Sequence, residues 1–523
     1  MKRRLEKRWI GWGAALVCVA ALLVAGILLA FAQRRESSAP QERSRPATGS
    51  GLASINVKAG GDFQAALDRA RPGDTITLEA GATFRGAFKL PNKPGAADFI
   101  TIRSSVPDAQ LPAPDERLDP SRYAAALPKI VSGTAGAPAI ETAPGAHHYR
   151  FVGVEFGPTP KGEGNIILLG TGEEKSPDEL PHDIEFDRTY VHGDPSEGQR
   201  RGIAANGRAI RILNSYFSDI KRKSEESQAI CGWGGDGPFE IVNNYIEAAA
   251  EGVLFGGATP RMRIVPSDIL VRGNHFNKPL RWRAEGWLVK NHFELKNARR
   301  VVVDGNLLTN DWTSGQDGTA VLFTVRDEDK RAPQATVEDI QFINNTVRGA
   351  AGALNLYGSE GQGGHRLTVR NNLFDDISGS KWGGGDGQFM TVTQWDGLVV
   401  VHNTILMTGN ITKAYGEPVT GFVFRDNIVP QNAYGFIGSN HAPGADSLNF
   451  YFPGAVVSHN AIVGGDARDY KAPNIFPASL KQLKFINPEG GDYRVRPDSP
   501  LKNAASDGTD IGANLAGLAQ ADR

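Results

Sequence analysis

Apolar and polar residues alternate over short stretches along most of the chain, and the alternation keeps breaking at the same kind of place. "FEIVNNYIEA" (239–248) alternates, turns on two asparagines and then resumes. Alternation of period two predicts half-buried strands. Asn is depleted from strands because its side chain competes for backbone hydrogen bonds. The phrase returns as "IRILNSYF", "ILVRGNHF", "VVVDGNLL", "IQFINNTV", "LTVRNNLF", "VVVHNTIL", "FVFRDNIV" and "AVVSHNAI". Its second polar position holds Asn244, Asn274, Asn306, Asn345, Asn372, Asn403, Asn427 and Asn460, with Thr189 and Ser215 in earlier copies. Successive asparagines lie 30, 32, 39, 27, 31, 24 and 33 residues apart, a spread that suits fixed strands joined by variable loops.

Partner strands accompany these copies: "QAICG", "GVLFGG", "NHFELK", "AVLFTVR", "ALNLYG" and "QFMTV". Two or three short strands per coil of about 30 residues predict an all-β solenoid, a parallel β-helix. Its coils stack at about 4.8 Å, which sets the corner asparagines above one another as a hydrogen-bonded ladder. That ladder is structural. "GGDFQAALDRARPGD" puts Phe63, Ala66, Leu67 and Ala70 on one helical face, with Asp62 as N-cap and Pro72-Gly73 as terminator. This helix is expected to cover the open end of the core. Residues 107 to 127 read as an inserted loop. The solenoid domain is assigned to 55–515 and a tail to 516–523.

The ends and the charge add a location. "MKRRLEKRW" places five basic residues before an uncharged run from Ile10 to Ala32. The run is long enough to span a bilayer, with the positive flank on the cytoplasmic side. "AFAQ" also offers a small-residue cleavage site at Ala30 and Ala32, so a signal peptide is the rival reading. Residues 1–33 are therefore an anchor or signal, and 34–54 a polar linker. Either way the remainder lies outside the cytoplasmic membrane, as a single-pass membrane protein or as a secreted or periplasmic one. A formal charge of −1 gives no overall field toward nucleic acid. Two cysteines, Cys18 and Cys231, exclude a disulfide framework.

"GGDFQAALDRARPGDTITLEAGATF", the Asn-cornered coils and the closing "DYRVRPDSPLKNAASDGTDIGA" resemble bacterial exported right-handed parallel β-helix proteins of the pectate-lyase-like superfamily. The resemblance covers about residues 55 to 515. It implies the right-handed fold. Members include lyases and hydrolases of acidic polysaccharides and proteins with no assigned activity, so the chemistry must be argued from side chains.

Aligning "VLFG" (253–256), "FELK" (293–296), "FTVR" (323–326) and "LNLY" (354–357) by their apolar positions leaves two outward columns. One holds Leu254, Glu294, Thr324 and Asn355, the other Gly256, Lys296, Arg326 and Tyr357. A lyase of uronic-acid polymers must neutralise a carboxylate and remove the proton beside it. Arg326 suits the first task, Lys296 the second, and Tyr357 donation to the leaving oxygen. The arrangement is similar to the Lys and Arg on consecutive coils of the lyase family that includes chondroitinase B and alginate lyases. That family's pair of calcium-binding glutamates before the Lys is missing. Glu294 is the nearby acid, so Ca²⁺ is an expectation without a defined ligand set.

Trp233 in "CGWGGDGP", together with Arg281 and Trp282 in "KPLRWRAEGW", suits an anionic sugar chain. Trp287, Trp312, Lys278 and Arg283 extend that group. His275, His402 and His459 read as corner residues beside the ladder. A hydrolase of the polygalacturonase type is disfavoured, because its Gly-His-Gly and Arg-Ile-Lys patterns do not occur. The expectation is an acidic-polysaccharide lyase acting by β-elimination. The alternative is a non-catalytic glycan-binding or scaffolding surface protein.

Overall fold

A computed structural model describes residues 53–518 apart from 94, 96 and 471. The anchor or signal assigned to 1–33, most of the 34–54 linker and the last five residues lie outside the described residues. No helix among the described residues is long and apolar enough to cross a membrane.

Short alternating segments give three long parallel sheets of 14, 13 and 12 strands, stacked coil on coil as a β-helix solenoid. The first sheet runs from Ser54–Val57 to Val456–Ser458, the second from Thr83–Arg85 to Ala461–Val463, and the third from Phe88–Leu90 to Phe436–Gly438. One coil shows the order: Phe239–Val242 in the first sheet, Tyr245–Ala248 in the second, Glu251–Phe255 in the third. The inward residues of all three sheets form one continuous apolar core.

The asparagines sit at the corner between the first and second sheets and are fully buried. Asn306 is representative. Its backbone N–H and its Nδ2 both donate to Asn345 Oδ1 at 2.9 Å, and Nδ2 also donates to the Val271 carbonyl at 2.9 Å. The chain of bonds starts at Thr189 and Ser215, where the Thr189 N–H donates to Ser215 Oγ at 2.9 Å. It runs one rung beyond Asn460, to Asn474. The residue before each rung has a separate job. Asn243, Gly273, Gly305, Asn344, Asn371, His402, Asp426 and His459 all have positive φ, between 53° and 64°. Gly and Asn reach that region most readily, so each "NN" or "GN" pair is one left-handed bend plus one ladder rung.

The capping helix is Phe63–Arg69, with Asp62 accepting from the Ala65 N–H. Phe63 packs edge-on against Phe88 with centroids 4.8 Å apart, closing the first coil. The 107–127 insertion lies across the corner: Arg117 donates to the Asn243 and Gly273 carbonyls, and Leu111, Leu118 and Leu127 pack with Val152. After the last coil, an antiparallel pair, Phe485–Asn487 and Asp492–Val495, folds back along the second sheet. Tyr493 there donates to Asp375 Oδ1 at 2.7 Å.

The third sheet corrects the register expected for Arg326. Val253 pairs with Phe293 as expected, but Phe293 pairs with Val321, not Phe323, and Val321 pairs with Leu354. The fourth outward position is thus Gly256, Lys296, Thr324 and Tyr357. Arg326 lies two residues past Thr324, beyond the strand end. A slip of two residues keeps the same face, so Arg326 still points outward.

Candidate functional site

The outer face of the third sheet carries a polar patch spanning six coils. Its foundations are set by the turn from the second sheet. Buried Lys278 donates from Nζ to the carbonyls of Ala248, Ala249, Ala250 and Asn291, at 2.9–3.3 Å, which fastens the two segments entering Glu251 and Asn291. Behind it pack Trp282, Trp287, Trp312 and Trp382.

Gly252 breaks the strand alternation. A Cβ at Gly252 would stand 2.6 Å from the Phe276 ring, so both Gly252 and Val253 face the core. Glu251 is therefore turned to the Glu294 side of the sheet. Gln228, Glu251 and Asn291 stand opposite one another on three successive coils. Arg201 Nε donates to Gln228 Oε1 at 2.7 Å, and Gln228 Nε2 donates to Glu251 Oε2 at 2.9 Å. Asn291 Nδ2 donates to Glu294 Oε2 at 3.1 Å and to Gln316 Oε1 at 3.3 Å. Among the described residues, Glu251 Oε1 and Asn291 Oδ1 are buried without a hydrogen-bond partner.

Two acids share the charge of one lysine here. Lys290 Nζ pairs with Glu226 and stands 3.4 Å from Glu251 Oε1. Burial pulls the Lys290 ammonium down, but Glu251 and Glu226 outweigh it and hold its pKa above the ordinary value. Burial pushes Glu226 up, yet its bond to Lys290 leaves it below the carboxylate range. Glu251 takes the opposite course: burial first, then the neighbouring Glu294, push its carboxyl up to about 7. Of Glu226 and Glu251, it is thus Glu251 that holds its proton nearest neutral pH.

One coil further on, Thr324 Oγ1 donates to Glu294 Oε1 at 3.2 Å, and Lys296 Nζ is 4.0 Å from the same oxygen. The Arg326 backbone N–H donates to the Lys296 carbonyl at 3.0 Å. The Arg326 guanidinium lies 4.5 Å from the Tyr357 ring centroid, and its Nη1 donates to Glu360 Oε1 at 2.8 Å. Lys296, Arg326, Tyr357 and Glu294 therefore share one outer face. Trp233 is half-buried on that face, packed with Cys231 and Leu254.

Two residues assigned to the sugar surface lie elsewhere. Trp282 is fully buried among the tryptophans and has no free ring face for a sugar to stack on. Arg281 is exposed on the second-sheet side, 3.5 Å from Glu247 Oε1. Lys278 is likewise internal. The short helix Arg281–Glu285 turns Trp282 inward and Arg281 away from Lys296. Glu226, Gln228, Glu251, Lys290, Asn291, Gln316 and Glu360 were missed. Alternation alone places Glu251 inside, and the available signal was the recurring polar residue opening "QAICG", "EGVLF" and "NHFEL".

A groove of about 1010 Å³ runs along the second sheet under the C-terminal hairpin. Two ion pairs line it: Arg348 bonds Asp375 at 2.9 Å and Lys381 bonds Asp376 at 2.5 Å.

No protein-family model matches the chain, and no curated protein matches it. Among solved structures it is similar to an alginate lyase from Paenibacillus sp. str. FPU-7, at 13% identity over 75% of this chain and 99% of that one, with a TM-score of 0.37. It is similar to a mannuronic acid specific family 6 polysaccharide lyase from human gut microbiota, at 12% identity over 81% and 82%, with a TM-score of 0.38. A surface adhesin of Streptococcus pneumoniae aligns at 10% identity over 78% and 85%, with a TM-score of 0.42. Likeness this distant assigns no chemistry, and the functional reading rests on the third-sheet side chains.

Proposed function

We propose that this is an extracytoplasmic carbohydrate-active protein whose third-sheet face binds an acidic polysaccharide and cleaves it by β-elimination. The observation that carries the reading is the meeting of Lys296, Arg326 and Tyr357 on one outer face, beside a buried acid network. In β-elimination the C–H bond next to the uronate carboxylate gives up its proton to a base. The electron pair forms a C=C bond, the glycosidic C–O bond breaks, and the leaving oxygen takes a proton. The Arg326 guanidinium has further N–H donors beyond the one on Glu360, and these suit bidentate capture of the carboxylate. Lys296 is the base that takes the proton, and the Tyr357 hydroxyl supplies one to the leaving oxygen.

This reading uses no Ca²⁺. Calcium takes about six to eight oxygen ligands, whereas Glu251 Oε2 and Glu294 Oε2 already accept from the Gln228 and Asn291 amides, at 2.9 and 3.1 Å. Glu360 favours a second reading, a non-catalytic glycan-binding or scaffolding face, because it already neutralises Arg326.

Incubation of the purified protein with alginate, pectate and glycosaminoglycans, followed by ultraviolet absorbance of the unsaturated product, separates the two. Lys296→Ala and Arg326→Ala should each lower turnover by about 10²-fold or more with unchanged folding. Graded loss of affinity without any unsaturated product would establish the binder instead.

A further inference from the structure

Far along the chain from these residues, two neighbouring strands of the first sheet begin with an unusual run. His147–Val152 opens on two histidines and His182–Asp187 on His-Asp. His147 pairs with His182 in register, which sets His148 opposite Asp183. His148 and Asp183 both have left-handed backbone, with φ of 55° and 51°. The same left-handed place recurs in later coils, where it is filled by closed ion pairs. Arg300 Nε donates to Asp268 Oδ1 at 2.8 Å, and Arg366 Nε to Asp339 Oδ1 at 2.6 Å. Among the described residues, no guanidinium closes on Asp183 in this way. The next coil offers Ala209 at this place, and the adjacent Arg208 is forked onto Asp236 at 2.9 and 3.1 Å. Imidazoles surround Asp183 instead.

The rings are held in a defined arrangement. His147 and His182 stack with centroids 4.8 Å apart and planes 6° from parallel. His148 stands edge-on to both, and Phe99 backs His148 at 5.2 Å. His182 Nδ1 lies 2.7 Å from Asp183 Oδ2, and His148 Nε2 lies 3.9 Å from the same oxygen. One ligand atom each from His148, His182 and Asp183 falls within a 4.8 Å sphere of mutual distance. All four side chains are half-buried, so an ion has access from solvent.

We propose that His148, His182 and Asp183 form a binding site for a divalent transition-metal ion of the zinc type. Two imidazole nitrogens and one carboxylate oxygen are the donor set of such ions, whereas Ca²⁺ prefers oxygen alone. Metal–ligand bonds of about 2.0–2.2 Å in a tetrahedron place ligand atoms about 3.3 Å apart. The spacings here bracket that value, so side-chain rotations suffice to close the site. His147 supplies the outer support. Its Nδ1 is 2.7 Å from His148 Nδ1, so one of the two carries the proton between them. A proton on His148 Nδ1 leaves Nε2 as the lone pair facing Asp183, the arrangement by which a second group orients a metal-bound imidazole. At His182 the ion replaces the Nδ1 proton now shared with Asp183. The fourth tetrahedral position is left for water or an exogenous ligand. The bound ion would join two coils covalently remote from one another.

The test uses untagged protein freed of metal by chelation, titrated with ZnCl₂ by calorimetry and with Co²⁺ by visible absorption. One equivalent of Zn²⁺ should bind with micromolar affinity or better and raise Tm, and Co²⁺ should give the intense bands of a tetrahedral site. His148→Asn and Asp183→Asn keep a residue type that tolerates positive φ, and both should abolish binding. His147→Gln should weaken it by about 10–100-fold, as loss of an outer hydrogen bond does. No saturable Zn²⁺ binding by the parent overturns the proposal without any variant. Parent-like binding by Asp183→Asn or His148→Asn, or binding of Ca²⁺ in preference to Zn²⁺, overturns it as well.

Discussion

Asn306 shows how a single side chain is made to serve two coils. Its Nδ2 closes the bend by bonding the Val271 carbonyl, and its amide group bonds Asn345 in the next coil. Replacement by Leu removes both bonds and also takes away the Asn306 Oδ1 that accepts from the backbone N–H and Nδ2 of buried Asn274. Asn306→Leu should therefore destabilise the fold by about 1–3 kcal/mol. Asn306→Asp should also cost stability, by burying a charge in the stack. Urea melts matching the parent for both variants would refute the ladder as a source of stability. Glu251 makes a pH-dependent counterpart. Its folded pKa is raised to about 7 by burial and by Glu294, against an unfolded value of about 4.3. The folded chain therefore holds this proton more tightly than the unfolded chain. The associated stability is complete below the unfolded value and is lost as pH rises through about 7. Glu251→Gln should remove this share of the decline. Thermal denaturation at a series of pH values checks it, and an unchanged slope between mildly acidic and neutral pH would refute it.

At the scale of elements, the capping helix and the third-sheet strands teach different lessons. Phe63, Ala66 and Leu67 all lie on the buried side of Phe63–Arg69, as their spacing predicts. Phe63 is the largest of the three and fills the end of the core against Phe84 and Phe88. Phe63→Ala should cost about 3–5 kcal/mol, against about 1 kcal/mol for the Asp62→Ala cap change. Equal losses in denaturant titrations would show that the helix does not seal the core. The third-sheet strands were located from sequence, yet one was misregistered. Val321, Phe323 and Val325 recur at every second position of "VLFTVR", so its two possible matches to "FELK" are equivalent by pattern. Pairing of Phe293 with Val321 settles the choice. What alternation alone lacks is the position of the strand end, and that depends on where the next loop leaves the sheet.

For the whole molecule, the sequence alone determined the solenoid: alternating segments, a recurring corner asparagine, variable loops and a capping helix. These are local or repetitive features, and each coil restates them. It also determined which face Lys296, Glu294, Arg326 and Tyr357 would occupy, since a side chain's face follows from period two. Tertiary structure alone decided the rest. Glu251 reaches the Glu294 side only because Gly252 can press against Phe276, a contact between different sheets. Trp282 and Lys278 are buried because a one-turn helix folds them under the entrance to the third sheet, where composition had suggested a sugar-binding surface. The His147–His148–His182–Asp183 cluster arises from register between coils separated by a long loop. The physical reason is the same in each case. Periodicity encodes which way a residue points along its own strand, while burial, charge pairing and ligand geometry depend on neighbours that stacking supplies.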